Sequence, residues 1–193
     1  MNRILAAIAC LAFFASSALA ATTDERYVIK GAGNGTCERF VTEREAQSQS
    51  YALFGGWLAG YITAYNQLTD ETFDIAPWQN LDLLAAFLDN FCRQNPDLAF
   101  VSAVGAMISA LQPTRLRTAS EKIEAAAGDD RVTLFRNVLR DVQIRLTDLG
   151  HYQSGADGLY GEGTRRALEE YLKSKALPPT GLPDQRTLFE LYR

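Results

Sequence analysis

The sequence predicts an all-α protein built as two small helical domains. Apolar residues recur at three- and four-residue steps in several stretches. No alternating strand pattern of useful length exists, apart from a weak candidate at residues 27–29. Charge and chain punctuation both change near Pro113. The 193 residues are 47% hydrophobic and 22% charged, the balance of a globular chain rather than a disordered or collagen-like one. A net charge of −4 argues against nucleic acid as a partner, because phosphate binding needs clustered Lys and Arg. A single histidine, His151, excludes a multi-histidine metal site, and no cofactor is expected.

Residues 1–20 read as a secretory signal. Arg3 precedes an uncharged apolar run over residues 4–14, and Ala18-Leu19-Ala20 is a small-x-small cleavage pattern before Ala21. Ala7-Ile8-Ala9-Cys10 loosely resembles a lipoprotein box, but only six apolar residues precede Cys10, too few for that use. The mature chain of about 173 residues is expected to be periplasmic or otherwise exported. It keeps Cys37 and Cys92 in a compartment that favours oxidation. A disulfide is the leading expectation, closing a 55-residue separation for a chain-entropy gain of about 4 kcal/mol. Two buried free thiols or a thiol nucleophile are the alternatives, and the distance in sequence to His151 speaks against the nucleophile.

In the first domain, residues 21–113, the acidic side chains outnumber the basic ones 11 to 5. Over residues 50–68, Tyr51, Phe54, Leu58, Tyr61, Ile62 and Tyr65 line one helical face, and Gly56 and Gly60 would admit a neighbouring helix. Residues 46–69 carry no charge, yet the apolar core over 51–65 is 15 residues long and holds three glycines. A membrane span needs about 20, so a buried helix is the better reading and no span is expected after signal cleavage. Pro77-Trp78 marks a turn before a helix over residues 80–95, where Leu81, Leu84, Leu88, Phe91 and Cys92 share a face. Asp97 is expected to cap an almost wholly apolar helix over residues 98–111.

A connector, residues 114–130, follows Pro113 and is expected to be partly helical until Gly128-Asp129-Asp130 breaks it. The second domain, residues 131–193, lies in a near-neutral stretch. Leu134, Val138, Val142, Leu146 and Leu149 repeat every three to four residues, and Gly150 stands where a left-handed cap is expected. A glycine-rich turn, Asp157-Gly158-Leu159-Tyr160-Gly161-Glu162-Gly163-Thr164, leads into a second helix. Asp184 is placed to cap a short third one holding Leu188 and Leu191.

These residues resemble the peptidoglycan-binding module often attached to bacterial cell-wall hydrolases. The likeness runs over residues 131–193. It rests on Val142-Gln143 with Leu146, Leu149-Gly150 and Tyr152, on Asp157, Gly158, Gly161 and Thr164 in a D-G-x-x-G-x-x-T pattern, and on Thr180, Gly181, Asp184, Thr187 and Leu188. The chain departs from the family pattern at the inserted His151, at Glu162 and at Tyr171-Leu172. The resemblance implies a three-helix bundle that binds peptidoglycan. Chemistry at the same residues fits such a ligand. Tyr152 and Tyr160 offer flat amphipathic surfaces, and Arg165 and Arg166 add positive charge near a helix N-terminus, where a peptide carboxylate would be welcome. With Asp157 and Thr164, which would otherwise fix the loop and cap the helix, they form the candidate ligand-binding set.

The first domain resembles periplasmic acid-stress chaperones of HdeA type through Thr36-Cys37-Glu38-Arg39-Phe40, the Gly56–Tyr61 stretch and Phe91-Cys92-Arg93. It is similar also to the small Tai-type periplasmic immunity proteins. Either likeness implies a helical domain held by the Cys37–Cys92 bridge and a periplasmic protein partner. Protonating the 11 carboxylates would reverse that domain's charge, a physical route to acid response. Glu38, Glu43, Glu45, Asp70, Glu71 and Asp74 are formally available for carboxylate catalysis, but none sits in a recognisable setting. The expected function is therefore non-catalytic: wall binding by the second domain and protein interaction by the first. A cell-wall hydrolase with an unrecognised carboxylate site, or an inhibitor of a wall-degrading toxin, are the alternatives.

Overall fold

The computed structural model describes residues 26–193; the expected signal at residues 1–20 and Cys10 lie outside them. Four helices form the head: α1 (Cys37–Glu45), α2 (Gln49–Leu68), α3 (Leu81–Gln94) and α4 (Phe100–Leu111). A hairpin of β1 (Lys122–Ala127) and β2 (Asp130–Phe135) leads into the tail helices α5 (Arg136–Asp148), α6 (Glu162–Ser174) and α7 (Gln185–Tyr192). The protein is thus mainly helical, as its spacing predicts, with one small antiparallel ladder. The weak strand candidate at residues 27–29 forms no ladder.

Side-chain caps start most head helices. Thr36, Ser48 and Asn80 accept from the backbone N–H groups of Arg39, Tyr51 and Leu83 at 3.2, 3.1 and 2.9 Å. The expected Asp97 cap does not form. The helix begins two residues later, at Phe100, with Ala99 in the capping place. Ala99 instead pairs with Thr36 in an antiparallel bridge, Cys37 N donates to Leu98 O at 2.8 Å and Phe100 N to Gly35 O at 2.8 Å. This tertiary pairing holds Ala99 extended and delays the first turn.

The head core is a cluster of rings. Phe40, Phe54 and Phe100 lie 4.7–5.4 Å apart and are at most 2% exposed. Cys37 and Cys92 are bonded and wholly buried, tying the start of α1 to the end of α3. On α2 only Phe54 and Leu58 are fully buried, while Tyr51, Tyr61, Ile62 and Tyr65 border the core. The expected helix contact at Gly56 and Gly60 is corrected, since a Cβ at either would meet nothing within 4 Å. The close approach falls on Gly33, where a Cβ would lie 2.1 Å from Trp57 Cζ2. Trp57 cannot easily yield, because its indole N–H donates to Lys30 O at 2.7 Å and its ring stacks on Tyr61. Gly33→Ala is accordingly expected to cost about 2 kcal/mol by overpacking, read as a lower denaturant midpoint at unchanged slope.

The helical expectation for the connector is also corrected. Ile123 pairs with Leu134 and Ala125 with Val132 across the ladder, and Gly128 turns the chain at φ +61°. Leu134 therefore belongs to β2, not to the first tail helix. α5 then starts without a side-chain cap of its own. Glu121 O and Ser120 Oγ accept from Arg136 N and Asn137 N at 2.9 and 3.0 Å, which seats the hairpin on that helix.

Head and tail touch through aromatic pairs. Trp78 stacks on Tyr192 at 5.4 Å, Phe87 meets Phe189 at 6.1 Å and Phe73 meets Phe135 at 5.5 Å. Asn80 N donates to Gln185 Oε1 at 2.7 Å, and Arg117 pairs with Glu71 at 2.6 Å. Among the described residues, no helix is long and apolar enough to cross a membrane.

Candidate functional site

The tail core packs Val138, Leu139, Val142 and Leu146 of α5 against Leu168, Tyr171 and Leu172 of α6 and Leu188 and Leu191 of α7. Gly150 adopts φ +80° after α5, so that the N–H groups of His151 and Tyr152 reach back to Leu146 O at 2.8 and 3.2 Å. Asp184 caps α7 as expected, accepting from Thr187 N at 2.7 Å. Between these ends runs the glycine-rich loop, and one buried side chain organises it.

Gln143 is fully buried on α5. Its Oε1 accepts from Gly158 N at 2.7 Å. Its Nε2 lies 3.0 Å from Leu159 O, 3.0 Å from Thr164 Oγ1, 3.1 Å from Asp157 Oδ1 and 3.3 Å from Tyr152 Oη. One amide thus binds the loop to α5 and to the first turn of α6. Asp157 Oδ1 also accepts from Leu159 N at 2.8 Å, and Arg136 donates twice to Asp157 O at 3.1 Å. Gly158 is required where it stands: φ is +71°, and a Cβ would lie 2.7 Å from Arg136 O.

The six candidates are brought together around this loop, in different roles. Tyr152 is 8% and Thr164 2% exposed, both packed inward toward Gln143. Tyr160 is half-buried, with its hydroxyl donating to Gly181 O at 2.6 Å. Arg165 is held by Glu162 at 2.7 Å and by Glu169. Arg166 stands out, its side chain 66% exposed and its nearest carboxylate, Glu162, 4.0 Å away. It shares a groove of about 280 Å³ with His151, Tyr152, Ser154 and Glu170. A second groove of about 370 Å³, between α5 and the loop, is lined by Arg136, Asn137, Arg140, Ala156 and Asp157. Arg140 and Glu170 escape sequence reasoning, having no motif of their own. Gln143 could be found as an amide set inside an apolar helical face.

The N–H of Leu159 and the amide of Gln143 hold the Asp157 carboxyl below its usual value of 3.8. A depressed carboxylate contributes stability that is full above the unfolded value and is lost as pH falls through the folded one. The tail should therefore loosen below about pH 4, and Asp157→Asn should flatten that acid limb in thermal melts taken from pH 6 to 2.

No group of three or more His, Cys, Asp or Glu side chains that could hold a metal occurs among the described residues. In the head, Glu45 pairs with Arg93, Glu71 with Arg117, Glu43 accepts from the Ser48 hydroxyl and Asp74 accepts from Ala76 N.

Residues 136–191, the three tail helices and their loop, match the family described as "Putative peptidoglycan binding domain". No curated protein matches the chain. Two crystal structures of SltB3 from Pseudomonas aeruginosa are similar to it. The one in complex with NAG-NAM-pentapeptide is 26% identical over 54% of this chain and 26% of its own, with a TM-score of 0.30. The one in complex with NAG-anhNAM-pentapeptide is 24% identical over 56% and 27%, with a TM-score of 0.31. This chain spans about a quarter of their length.

Proposed function

We propose that the protein is exported, docks on peptidoglycan through residues 136–191, and offers its disulfide-bonded head to a protein partner without performing chemistry itself. The observation that carries this reading is the family match, which falls on one intact unit whose loop is pinned by Gln143. The buried Cys37–Cys92 bond supports an oxidising compartment. The engagement of Glu45 and Glu71 by arginines, of Glu43 by a hydroxyl and of Asp74 by a backbone amide supports a non-catalytic role. An apolar groove of about 450 Å³ between α3 and α4, including Phe87, Phe91 and Met107, supports a protein-binding head.

On this reading Asp157, Thr164 and Tyr152 shape the loop, Tyr160 and Arg165 brace it through Gly181, Glu162 and Glu169, and Arg166 meets the ligand in the groove it shares with His151 and Ser154. Pelleting the full exported chain with purified sacculi tests it. The wild type is expected in the pellet, with retention falling as salt rises. Arg166→Glu should weaken retention about tenfold, a loss of about 1.4 kcal/mol, while Lys173→Glu leaves it unchanged. A folded wild type left in the supernatant refutes wall binding, and soluble muropeptides released from labelled wall refute the non-catalytic role.

A further inference from the structure

The tail groove of about 280 Å³ beside α6 falls below the size range of drug-sized sites, so it fits one head group rather than a run of sugars. Two of its walls carry opposite charge. Arg166 and Glu170 stand four residues apart on α6, on one face of that helix, and both line the groove. They do not pair with each other. The carboxylate nearest Arg166 is Glu162, at 4.0 Å, and Glu170 makes no ion pair or side-chain hydrogen bond among the described residues.

Their order along the helix accounts for this. A carboxylate supports a cation four residues later in a helix better than one four residues earlier, which favours Glu162 over Glu170 as the partner of Arg166. Glu162 is itself drawn to Arg165 at 2.7 Å, and no hydrogen bond from the Arg166 guanidinium is made within the described residues. Around the two charges, Ser154 adds a hydroxyl and Gly163 adds no side chain. The His151 ring is held edge to face against Tyr171 at 5.7 Å. A guanidinium that can fork around a carboxylate, and a carboxylate that can accept from an ammonium, lie within about one helical turn of each other. That pattern matches a ligand with both charges on one carbon.

We propose that this groove takes a free α-amino acid head group, its carboxylate on Arg166 and its ammonium on Glu170. The proposal deepens the wall-binding reading and rests on it for the source of the head group, a stem peptide whose diamino acid keeps an amine and a carboxylate on its outer carbon. Cross-linking through that amine makes a neutral amide and removes the charge that Glu170 meets. The groove therefore selects wall that is not joined there.

The test is a titration of the full exported chain, followed by backbone amide NMR shifts, with N-acetyl-L-alanyl-γ-D-glutamyl-meso-diaminopimelate. The comparison probe is the same tripeptide acetylated on its outer amine. Saturable shifts over residues 151–154 and 166–170 are expected for the free head group, with the acetylated probe about tenfold weaker. Glu170→Gln should weaken the free tripeptide about tenfold and leave the acetylated one unchanged, with an unaltered near-UV CD spectrum. Arg166→Gln should weaken both, because both keep the carboxylate. No saturable shift with the free tripeptide, equal binding of the two probes, shifts confined to other residues, or a Glu170→Gln variant that loses both probes alike would overturn the site. Sacculus retention of the wild type alongside any of those results defeats the head-group site alone and leaves the wall-binding reading standing. Selective tripeptide binding by a chain that sacculi do not retain keeps the head-group site and defeats the wall as its source.

Discussion

Replacing Gln143 by Leu is expected to remove about 3–4 kcal/mol of stability and to lower the melting temperature by roughly 10 °C. The side chain is fully buried; its oxygen accepts from Gly158 N, and its two N–H hydrogens are shared among Tyr152 Oη, Asp157 Oδ1, Leu159 O and Thr164 Oγ1. Leucine matches it in size, so packing is nearly conserved and the loss is polar. Gly158 N and Thr164 Oγ1 would be left inside the tail without the amide that pairs them. Thermal and urea unfolding measure the loss directly, and sacculus retention should fall with it because the loop no longer has one shape. A change below about 1 kcal/mol would mean that water replaces the amide at little cost, and the central place given to Gln143 would have to be abandoned.

The second large effect is expected at the head. Cys37→Ala with Cys92→Ala should cost roughly 4 kcal/mol, the chain-entropy value for the 55-residue separation. Both sulfurs are wholly buried beside Phe40 and Leu88 in the head core, so packing adds to the loss. The double variant is compared with the oxidised wild type by urea unfolding followed through head tryptophan emission. The acid loosening tied to Asp157 belongs to the tail, so it should persist at the same pH in the double variant. Equal stability of the two proteins would show that the bridge decorates a head already closed by its rings.

Much of this architecture is legible in residue spacing. The inner faces of α3 and α5, apart from the exposed Leu81 and Leu149, the Gly150 turn and the Asp184 cap follow from local rules that tertiary contacts leave alone. The exceptions arise where a contact outside the helix itself decides. Asp97 would cap a helix were Ala99 not drawn to Thr36. Residues 122–127 are rich in alanine and read as helix, yet Ala125 and Ile123 find β2 across Gly128 and pack with the tail core. A two-residue period carried by alanine is too faint to stand against helix propensity. Gly56 and Gly60 mimic a packing motif on a face that meets nothing, while Gly33, unremarkable in sequence, lies under Trp57. The candidate site was legible as a place, since its six residues fall within one short stretch. Their division into inward supports and one outward arginine was not, because it depends on Gln143 reaching the loop from another helix.

The seam between head and tail sets how the molecule would respond to tension. A tail gripping a stretched polymer and a head holding a partner would be pulled in opposite directions, and the strain would pass through Trp78 on Tyr192, Phe87 on Phe189 and the Asn80–Gln185 bond. Those few contacts are fewer than the ones inside either core, so the halves would part before either one unravels, while Leu116, whose N–H and carbonyl pair with Asp74 O and Phe73 N, would keep the start of the connector on the head.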